Sequence, residues 1–393
     1  MNYRKATAAA LSVLVSTAAA LAAAEWIAGK MLRPDGARAA AAAGVPWDPR
    51  DRLQAVADER RSTGRAWYPA VPANTYLERE LQVDGRRAIP LGGVAEVSVI
   101  GCNENGYFSA FETDEFGFNN PRGLHSAPGA KLVFVGDSFT QGDCLRQGAT
   151  IVDRVRAQRP QTLNLATGGN GPLFELAALR EYVRPDHRAT VVWMYYEGND
   201  LDDLRRDRAD PLLARYLEPA FTQNLAQRQA RVNAAVQAMV DERFAQQMQE
   251  RPRMLPHLRL LVWQARQRLR ARPGSAIQTG GPEAGDGDAA DVAMLLRILA
   301  AARDEVAGKG GRLVFVYLPE YWRYAGSTPS PGAQRRDEVL AGVRALGLPV
   351  VDLHEVFARQ DRPELLFPFG VKGHYNDRGA EVAASALLEA LPP

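Results

Sequence analysis

Short apolar runs of strand-forming residues recur from residue 131 to residue 353, and helix-forming stretches separate them. The five runs are KLVFVG, QTLNLA, ATVVWMYYEG, RLVFVYLPE and PVVDL, which begin at residues 131, 161, 189, 312 and 349. Most are continuously apolar rather than alternating, which is typical of strands buried on both faces. Strands that alternate with helices are joined by right-handed crossovers, so the pattern predicts an α/β fold with a parallel sheet between two helical layers.

A long segment, residues 201–291, interrupts this alternation between the third and fourth runs. It is rich in Arg, Gln and Leu, and its high helix propensity predicts a helical insertion. A glycine-rich tail, residues 273–291, closes it and is typical of a flexible linker. The insertion is interpreted as a cap over a site, a membrane-facing arm, a partner surface, or helices that simply pack on the core.

The N-terminus has the layout of a membrane anchor or a secretory signal. Two basic residues, Arg4 and Lys5, precede an apolar run over residues 6–24, and Glu25 ends the run close to the minimum length that crosses a bilayer. We interpret residues 1–30 as a signal anchor, with a signal peptide cleaved at the small residues 22–24 and a buried helix as alternatives. The first two interpretations place the rest of the chain outside the cytoplasm.

Composition shifts divide the remainder into three parts. Residues 31–66, rich in Ala, Pro and Arg, are predicted to be a linker, and residues 67–130 a small extension of strands and loops that packs on the core. Residues 131–393 are predicted to form the main domain. The net charge is +2 and the arginines are interleaved with acids, so no basic stripe for nucleic acid is present in the sequence.

Polar residues follow the first three apolar runs, at the points where the predicted strands end. Gly136, Asp137 and Ser138 follow the first run, Gly169 follows the second within NLATGGNGP, and Asn199 follows the third. Parallel strands end at one edge of their sheet, and open α/β sheets bind ligands at that edge. We therefore expect these turns to form one site, with Gly136 and Asp137 supporting the turn that carries the serine.

The residue types in these turns are those that acyl transfer requires. Such a reaction needs a nucleophilic oxygen, a base that accepts its proton, and donors for the oxyanion. Ser138 is the candidate nucleophile, and His374, just before the predicted last helix, is the candidate base. The Gly169 backbone N–H and the Asn199 amide are the candidate oxyanion donors. The sequence has no Cys/His zinc spacing, no Walker loop and no Gly-x-Gly-x-x-Gly after the first run, so we predict neither a metal nor a cofactor.

Cys102 and Cys144 are the two cysteines of the chain. An exported protein lies in an oxidising compartment, where such a pair closes a disulfide. A bond between them would tie the segment before the first strand to the turn that carries Ser138. Two buried free thiols are the alternative.

Four sequence blocks resemble those of the SGNH, or GDSL-like, hydrolases. VFVGDSFTQG, NLATGGNGP, YYEGND and GHYNDRG occur in the family's order, and the likeness covers residues 131–393 outside the insertion. The resemblance implies a three-layer, flavodoxin-like sheet of order 2-1-3-4-5. It also implies Ser138 as nucleophile, His374 as base, and an oxyanion hole formed by the Ser138 N–H, the Gly169 N–H and Asn199.

One departure concerns the acid that supports the histidine. The family's last block carries an aspartate three or two residues before the histidine, and Val371 and Lys372 occupy those positions here. Three hypotheses remain open: an acid from elsewhere, a Ser–His dyad held by a backbone carbonyl, or a degenerate site. The candidate acids are Asp352, Glu320 and Asp377.

The resemblance and the anchor together predict a single-pass protein of a bacterial inner membrane with a periplasmic catalytic domain. The expected activity is that of a serine esterase that hydrolyses O-acyl esters, chiefly O-acetyl esters of cell-envelope carbohydrate, through an acyl-serine. One alternative is a polysaccharide O-acetyltransferase of the same fold, and another is a non-catalytic polysaccharide-binding or scaffold protein. The acylated carbohydrate and the membrane are thus the expected partners, and no oligomeric state is predicted.

Overall fold

The computed structural model describes residues 3–129, 131–251, 254–270 and 286–391. The strands are β1 (Trp67–Pro69), β2 (Leu81–Val83), β3 (Arg86–Ala88), β4 (Ser98–Ile100), β5 (Ala110–Glu112), β6 (Leu132–Val135), β7 (Thr162–Asn164), β8 (Thr190–Tyr196), β9 (Arg312–Leu318) and β10 (Val350–Asp352). The helices of the first half are α1 (Tyr3–Met31), α2 (Asp35–Ala42), α3 (Arg52–Thr63), α4 (Thr75–Glu78), α5 (Ser138–Gln141), α6 (Ile151–Gln158), α7 (Pro172–Tyr182), α8 (Asp200–Ala209) and α9 (Pro211–Ala214). The later helices are α10 (Gln229–Glu250), α11 (Pro256–Arg270), α12 (Asp286–Gly308), α13 (Pro331–Gln334), α14 (Arg336–Ala345), α15 (Leu353–Phe357) and α16 (Asp377–Ala390).

The central sheet has the order β10-β9-β8-β6-β7, and all of its neighbouring strands run parallel. Numbered by their appearance along the chain, these strands lie in the order 2-1-3-4-5. The predicted parallel sheet is therefore confirmed. Its first strand, β6, lies between β7 and β8, so the turns that follow these three strands end at neighbouring points of one edge.

Helices cover both faces of the sheet, which explains the continuously apolar runs. Val133 and Val135 are buried in the core on one face, together with residues of α7, α12 and α14. Leu132 and Phe134 are buried on the other face with residues of α6, α15 and α16. Successive residues of a strand point to opposite faces, so a strand covered on both sides needs an apolar residue at every position.

The segment from residue 201 to residue 291 is mostly helical where the structure describes it. Helix α10 is its longest helix before α12, and its Val232, Val236 and Val240 are buried in the core. Thus at least this part of the insertion packs on the main domain. Residues 273–285, which are most of the predicted glycine-rich tail, lie outside the described residues.

The N-terminal apolar run forms helix α1. Its segment Leu11–Met31 is long and apolar enough to cross a membrane, and 6% of it is buried. Glu25, which interrupts the apolar run, accepts hydrogen bonds from the backbone N–H groups of His257 and Leu258, each at 2.9 Å. These groups are at the start of α11, where unpaired N–H groups favour a negative charge. The acid therefore joins α1 to the insertion.

The segment predicted to be a linker contains helices α2 and α3. Asp51 begins α3 with a capping box, because its carboxylate accepts from the Gln54 N–H at 2.9 Å and the Gln54 side chain accepts from the Asp51 N–H at 3.0 Å. Ala55 and Val56 of α3 pack against Ile100 of β4. The capping box and this apolar contact explain why the segment is ordered rather than extended.

The extension forms two small sheets within its described residues 67–129, β1-β4-β5 and the hairpin β2-β3. The extension is attached to carbonyl groups of β7 and of the turn after it by backbone and side-chain hydrogen bonds. The Ala73 N–H donates to the Gly168 carbonyl at 2.8 Å, and the Asn120 amide donates to the Asn164 carbonyl at 2.8 Å. These bonds place the extension beside the turns that carry the candidate site.

Candidate active site

Ser138 begins helix α5 directly after strand β6. The side chain of Asp137 caps this helix by accepting from the Phe139 N–H at 2.9 Å. A side chain at Gly136 would overlap the side chain of Thr140, so glycine allows α5 to pack this closely on the end of β6. Gly136 and Asp137 thus present Ser138 at the carboxyl end of a central strand.

Ser138 and His374 are in hydrogen-bonding contact. The Ser138 Oγ atom lies 2.8 Å from His374 Nε2, although 236 positions separate the two residues. His374 precedes α16, which is capped by Asn376 through the Gly379 N–H at 3.0 Å. The ring of Phe139 lies 4.7 Å from the imidazole, centroid to centroid, and helps to hold its orientation.

The other nitrogen of the imidazole contacts Glu104, a residue that the sequence did not single out. Glu104 Oε2 lies 3.1 Å from His374 Nδ1 and accepts the His374 backbone N–H at 2.7 Å. Glu104 follows β4 in the N-terminal extension. The three side chains Ser138, His374 and Glu104 therefore form a continuous hydrogen-bonded series of the kind that activates a serine.

Glu104 thus occupies the position beside His374 Nδ1 for which the sequence suggested Asp352, Glu320 or Asp377. It also takes the place of the backbone carbonyl in the dyad hypothesis. Each of the three acids is engaged or placed elsewhere: Asp352 is paired with Arg336, Glu320 accepts from the Ser330 N–H at 2.5 Å, and Asp377 is exposed at the start of α16. The physical reason is clearest for Asp352, which ends the outer strand β10. Strands β9 and β8 separate β10 from β6, which carries the serine.

A disulfide between Cys102 and Cys144 holds the Glu104 loop against the serine turn. Glu104 is two residues after Cys102, and the Asn105 amide donates to the Cys144 carbonyl at 3.1 Å. The position of the cysteines was the available sequence signal, because a bond between them brings the residues beside Cys102 to the turn of Ser138. The two sulfurs and a nitrogen of His374 lie within 4.8 Å of one another, but bonded sulfurs are not thiolate metal ligands.

Gly373 allows the close approach of Glu104 to His374. A Cβ atom at Gly373 would lie 2.7 Å from Glu104 Oε2, which is closer than a carbon and an oxygen can approach. The glycine before the histidine in the sequence GHYNDRG therefore has a specific steric role.

The turn after β7 lies beside the serine. A Cβ atom at Gly168 would lie 3.7 Å from the Cβ of Ser138, and Gly169 adopts a left-handed φ of 76°. Asn199 precedes α8, and its Nδ2 donates to Asp203 Oδ2 at 3.0 Å. The Asn199 side chain also faces the buried Asp137 carboxyl and partly offsets the effect of burial on the pKa of that carboxyl.

The charges around the imidazole favour its protonated form. Burial of the ring lowers its pKa, but the hydrogen bond with Glu104 and the negative charges of Glu104, Asp143 and Asp137 outweigh burial and raise the pKa of His374 to about 9. Burial raises the pKa of Glu104, yet its bonds with His374 and the charge of Lys372 hold that pKa below its ordinary value. The pair is thus an imidazolium and a carboxylate at neutral pH.

Three carboxyl groups, Asp137, Glu175 and Asp200, are buried behind the serine turn. Burial raises the pKa of Asp137 to about 6, although the Phe139 N–H partly offsets it. Burial and the neighbouring acids raise the pKa values of Glu175 and Asp200 well above their ordinary range. Their surroundings therefore favour the neutral form of Glu175 and Asp200.

The chain matches no protein-family model and no curated protein sequence. Among solved structures it is similar to a member of the lipolytic G-D-S-L family from Veillonella parvula, with 11% identity and a TM-score of 0.36 over 67% of this chain and 98% of that one. It is also similar to the protein YxiM of Bacillus subtilis, with 13% identity and a TM-score of 0.35 over 67% of this chain and 56% of that one. Both TM-scores are too low for either similarity to bear on activity.

Proposed function

We propose that this chain is a serine esterase of SGNH type that hydrolyses O-acyl esters through an acyl-serine intermediate. The observation that carries the proposal is the hydrogen-bonded series in which Ser138 Oγ lies 2.8 Å from His374 Nε2 and Glu104 lies 3.1 Å from Nδ1. A nucleophile, a base and an orienting acid in this arrangement are the components that acyl transfer requires. The order of the four sequence blocks supports the same family.

In the first half of the reaction, Ser138 Oγ attacks the acyl carbon while His374 Nε2 takes the hydroxyl proton. The Ser138 N–H, the Gly169 N–H and the Asn199 amide are the groups we assign to the resulting oxyanion. The tetrahedral intermediate then collapses, the bond to the alcohol breaks, and His374 returns the proton to the departing alcohol oxygen. Glu104 fixes the orientation of the imidazole and stabilises its cation throughout.

In the second half, a water molecule attacks the acyl-serine and gives its proton to His374. Collapse of the second tetrahedral intermediate releases the carboxylic acid and returns the proton to Ser138. The base must be neutral at the start of each half, so the raised pKa of His374 predicts an alkaline optimum.

We further propose that the acyl group is an acetyl group and that the alcohol belongs to a cell-envelope carbohydrate. The exposed apolar helix α1 supports a membrane anchor, and the Cys102–Cys144 disulfide agrees with an oxidising compartment such as the periplasm. These two features and the resemblance of the sequence blocks support our proposal of single-pass placement in a bacterial inner membrane.

Transfer of the acyl group to a sugar hydroxyl is a second candidate. Helix α10 of the insertion lines a cavity beside the Gly169 turn, where a sugar acceptor has room to replace water. The hypothesis of a non-catalytic scaffold protein was based on the missing acid beside His374. The position of Glu104 argues against that hypothesis. Exclusion of water from the acyl-enzyme would separate a transferase from a hydrolase.

The test is p-nitrophenyl acetate turnover by the full chain in detergent, beside Ser138→Ala and His374→Ala. Each variant is expected to lose turnover by about 10³-fold or more, since residues of such a series act as a unit. Ser327→Ala is the matched control, because Ser327 is exposed and remote in sequence from the turn. A fluorophosphonate should label the wild type but not Ser138→Ala.

A wild type that is no faster than Ser138→Ala would overturn the proposal. Oligosaccharide acceptors added to the same assay separate the two candidates. Formation of acetylated oligosaccharide with a matching decrease in free acetate indicates transfer. Formation of free acetate alone indicates hydrolysis.

A further inference from the structure

Two arginines from distant parts of the chain line one cavity. The cavity measures about 230 Å³ and lies between α3, the segment before α4, and α10 of the insertion. Arg52 of α3 and Arg243 of α10 are its basic lining residues, and Asn74 and Thr75 are among its neutral polar ones. Arg243 Nη1 lies 3.4 Å from Thr75 Oγ1.

The cavity borders the turn that we assign to the oxyanion hole. A Cβ atom at Gly169 would lie 3.4 Å from Asn74 Oδ1 and 3.5 Å from the Cβ of Pro72, and both of these residues line the cavity. The Ala73 N–H also donates to the Gly168 carbonyl at 2.8 Å. The cavity therefore lies directly beside the turn whose Gly169 N–H we assign to the oxyanion hole.

The positive charges of the cavity exceed its negative charges. Among its described lining residues the acid is Glu78, which is exposed, whereas Arg52 and Arg243 are both partly buried. Burial lowers the pKa of Arg52, and the charge of Arg243 lowers it further, while Asp143 offsets part of this effect. Two like charges held together in a partly buried place are stabilised when an anion binds between them.

The surrounding contacts keep the two arginines from separating. Arg60 of α3 stacks on Phe244 of α10, with its guanidinium carbon 4.4 Å from the ring centroid, and lies 3.8 Å from Asp241. An ion pair between Asp51 and Arg251 joins the start of α3 to the end of α10. Because α3 and α10 are joined at both places, the charges stand in a pre-formed arrangement.

We propose that this cavity is an anion subsite in which Arg52 and Arg243 bind a carboxylate or phosphate substituent of the ester substrate. Guanidinium groups match both anions through paired N–H donors. The inference rests on the proposed esterase function and deepens it: the substrate is an acylated acidic carbohydrate, such as a uronate or a sugar phosphate, rather than a neutral one.

The test compares three acetyl esters in the full chain: an acetylated methyl galacturonoside, an acetylated glucose 6-phosphate and an acetylated methyl glucoside. The measured quantity is the ratio of kcat/KM for each acidic ester to that for the neutral ester. Arg52→Gln and Arg243→Gln are expected to lower this ratio by about tenfold or more, as for a lost charge-assisted hydrogen bond. The acidic ester with the larger loss identifies carboxylate or phosphate as the bound group.

Matched controls come from the same two helices. Arg61 of α3 and Arg231 of α10 have side chains that are 72% and 67% exposed, and neither lines the cavity. Arg61→Gln and Arg231→Gln should keep the wild-type ratio. Arg52→Lys and Arg243→Lys keep the charge and should give intermediate ratios, which also covers the case in which a Gln variant fails to fold.

Unchanged ratios in Arg52→Gln and Arg243→Gln would overturn the subsite, while Ser138-dependent turnover of p-nitrophenyl acetate would leave the esterase proposal intact. If the wild type hydrolyses no ester, calorimetric titration with trigalacturonic acid and with glucose 6-phosphate still tests the subsite. Binding that both Gln variants lose would support it, and equal or absent binding would overturn it.

Discussion

Glu104 Oε2 lies 3.1 Å from His374 Nδ1, although 270 positions of sequence separate the two residues. The acid comes from the N-terminal extension and the histidine from the last sequence block of the main domain. The extension is therefore part of the candidate site and not an appendage to it. The disulfide from Cys102 to Cys144 makes this connection covalent.

Replacing Glu104 by glutamine should lower kcat/KM for p-nitrophenyl acetate by about 10²- to 10⁴-fold, because the imidazole loses the acid that orients it and stabilises its cation. Asp377→Asn is the control, since Asp377 is a candidate acid from the sequence that the structure leaves exposed. It should retain wild-type turnover. Equal losses in the two variants would contradict the role of Glu104.

The pH dependence of kcat/KM should rise towards alkaline pH with an inflection near the His374 pKa of about 9. The sign follows from the mechanism: only neutral imidazole accepts the serine proton, so activity appears as pH rises through this pKa. Glu104→Gln removes a negative charge that raises the pKa of His374. The inflection in the pH profile of its residual activity should therefore lie at a lower pH than in the wild type. An inflection near the ordinary histidine value of about 6.5 in the wild type would contradict the prediction.

Loss of the disulfide should affect both stability and activity. In the double variant Cys102→Ala and Cys144→Ala, the free energy of unfolding is expected to fall by about 2–4 kcal/mol, as is typical when a native cross-link is removed. Turnover should fall as well, because Glu104 lies two residues from Cys102. Denaturant unfolding and p-nitrophenyl acetate assays measure the two effects, and intact mass with and without reductant verifies the bond in the wild type. Two free thiols in exported protein would contradict it.

Gly373→Ala should reduce activity more than stability. The new Cβ would lie 2.7 Å from Glu104 Oε2 and would push the carboxylate away from the imidazole. A displaced carboxylate no longer orients the imidazole, so we expect kcat to fall by about tenfold or more. Gly308→Ala is the control, since no atom lies within 4 Å of its Cβ position. Turnover in Gly373→Ala equal to that of the control would show that the carboxylate tolerates the added carbon.

Glu175→Gln should flatten the fall of stability with rising pH. Glu175 has a raised pKa in the folded chain, so its contribution to stability is fully present below the unfolded value of about 4.3 and is lost as pH rises through the folded pKa. Glutamine stays neutral, so the melting temperature of the variant should decrease less between pH 5 and pH 8 than that of the wild type. Parallel losses in wild type and variant would show that Glu175 does not titrate differently in the two states.

Local patterns were sufficient to predict the sheet and the residues at its edge. The apolar runs around Val133 and Val191 indicated buried parallel strands, because a strand covered on both faces requires apolar residues throughout. The turn chemistry at Gly136 and Ser138 depends on adjacent residues, and the sequence therefore carries it directly. The candidate nucleophile and base came from this local information together with the family resemblance.

The acid could not be chosen in the same way. The sequence contains 46 acidic residues, and apart from its position two residues after Cys102 nothing in the neighbourhood of Glu104 distinguishes it from the others. Its contact with His374 depends on the disulfide, on the absence of a side chain at Gly373, and on the packing of the extension against the strand ends. The pairing of Arg52 with Arg243 likewise depends on how α3 packs against α10. The sequence by itself determined the strands and turns, because these depend on neighbouring residues and on burial. Tertiary packing alone decided which side chains that are distant in the sequence share a site.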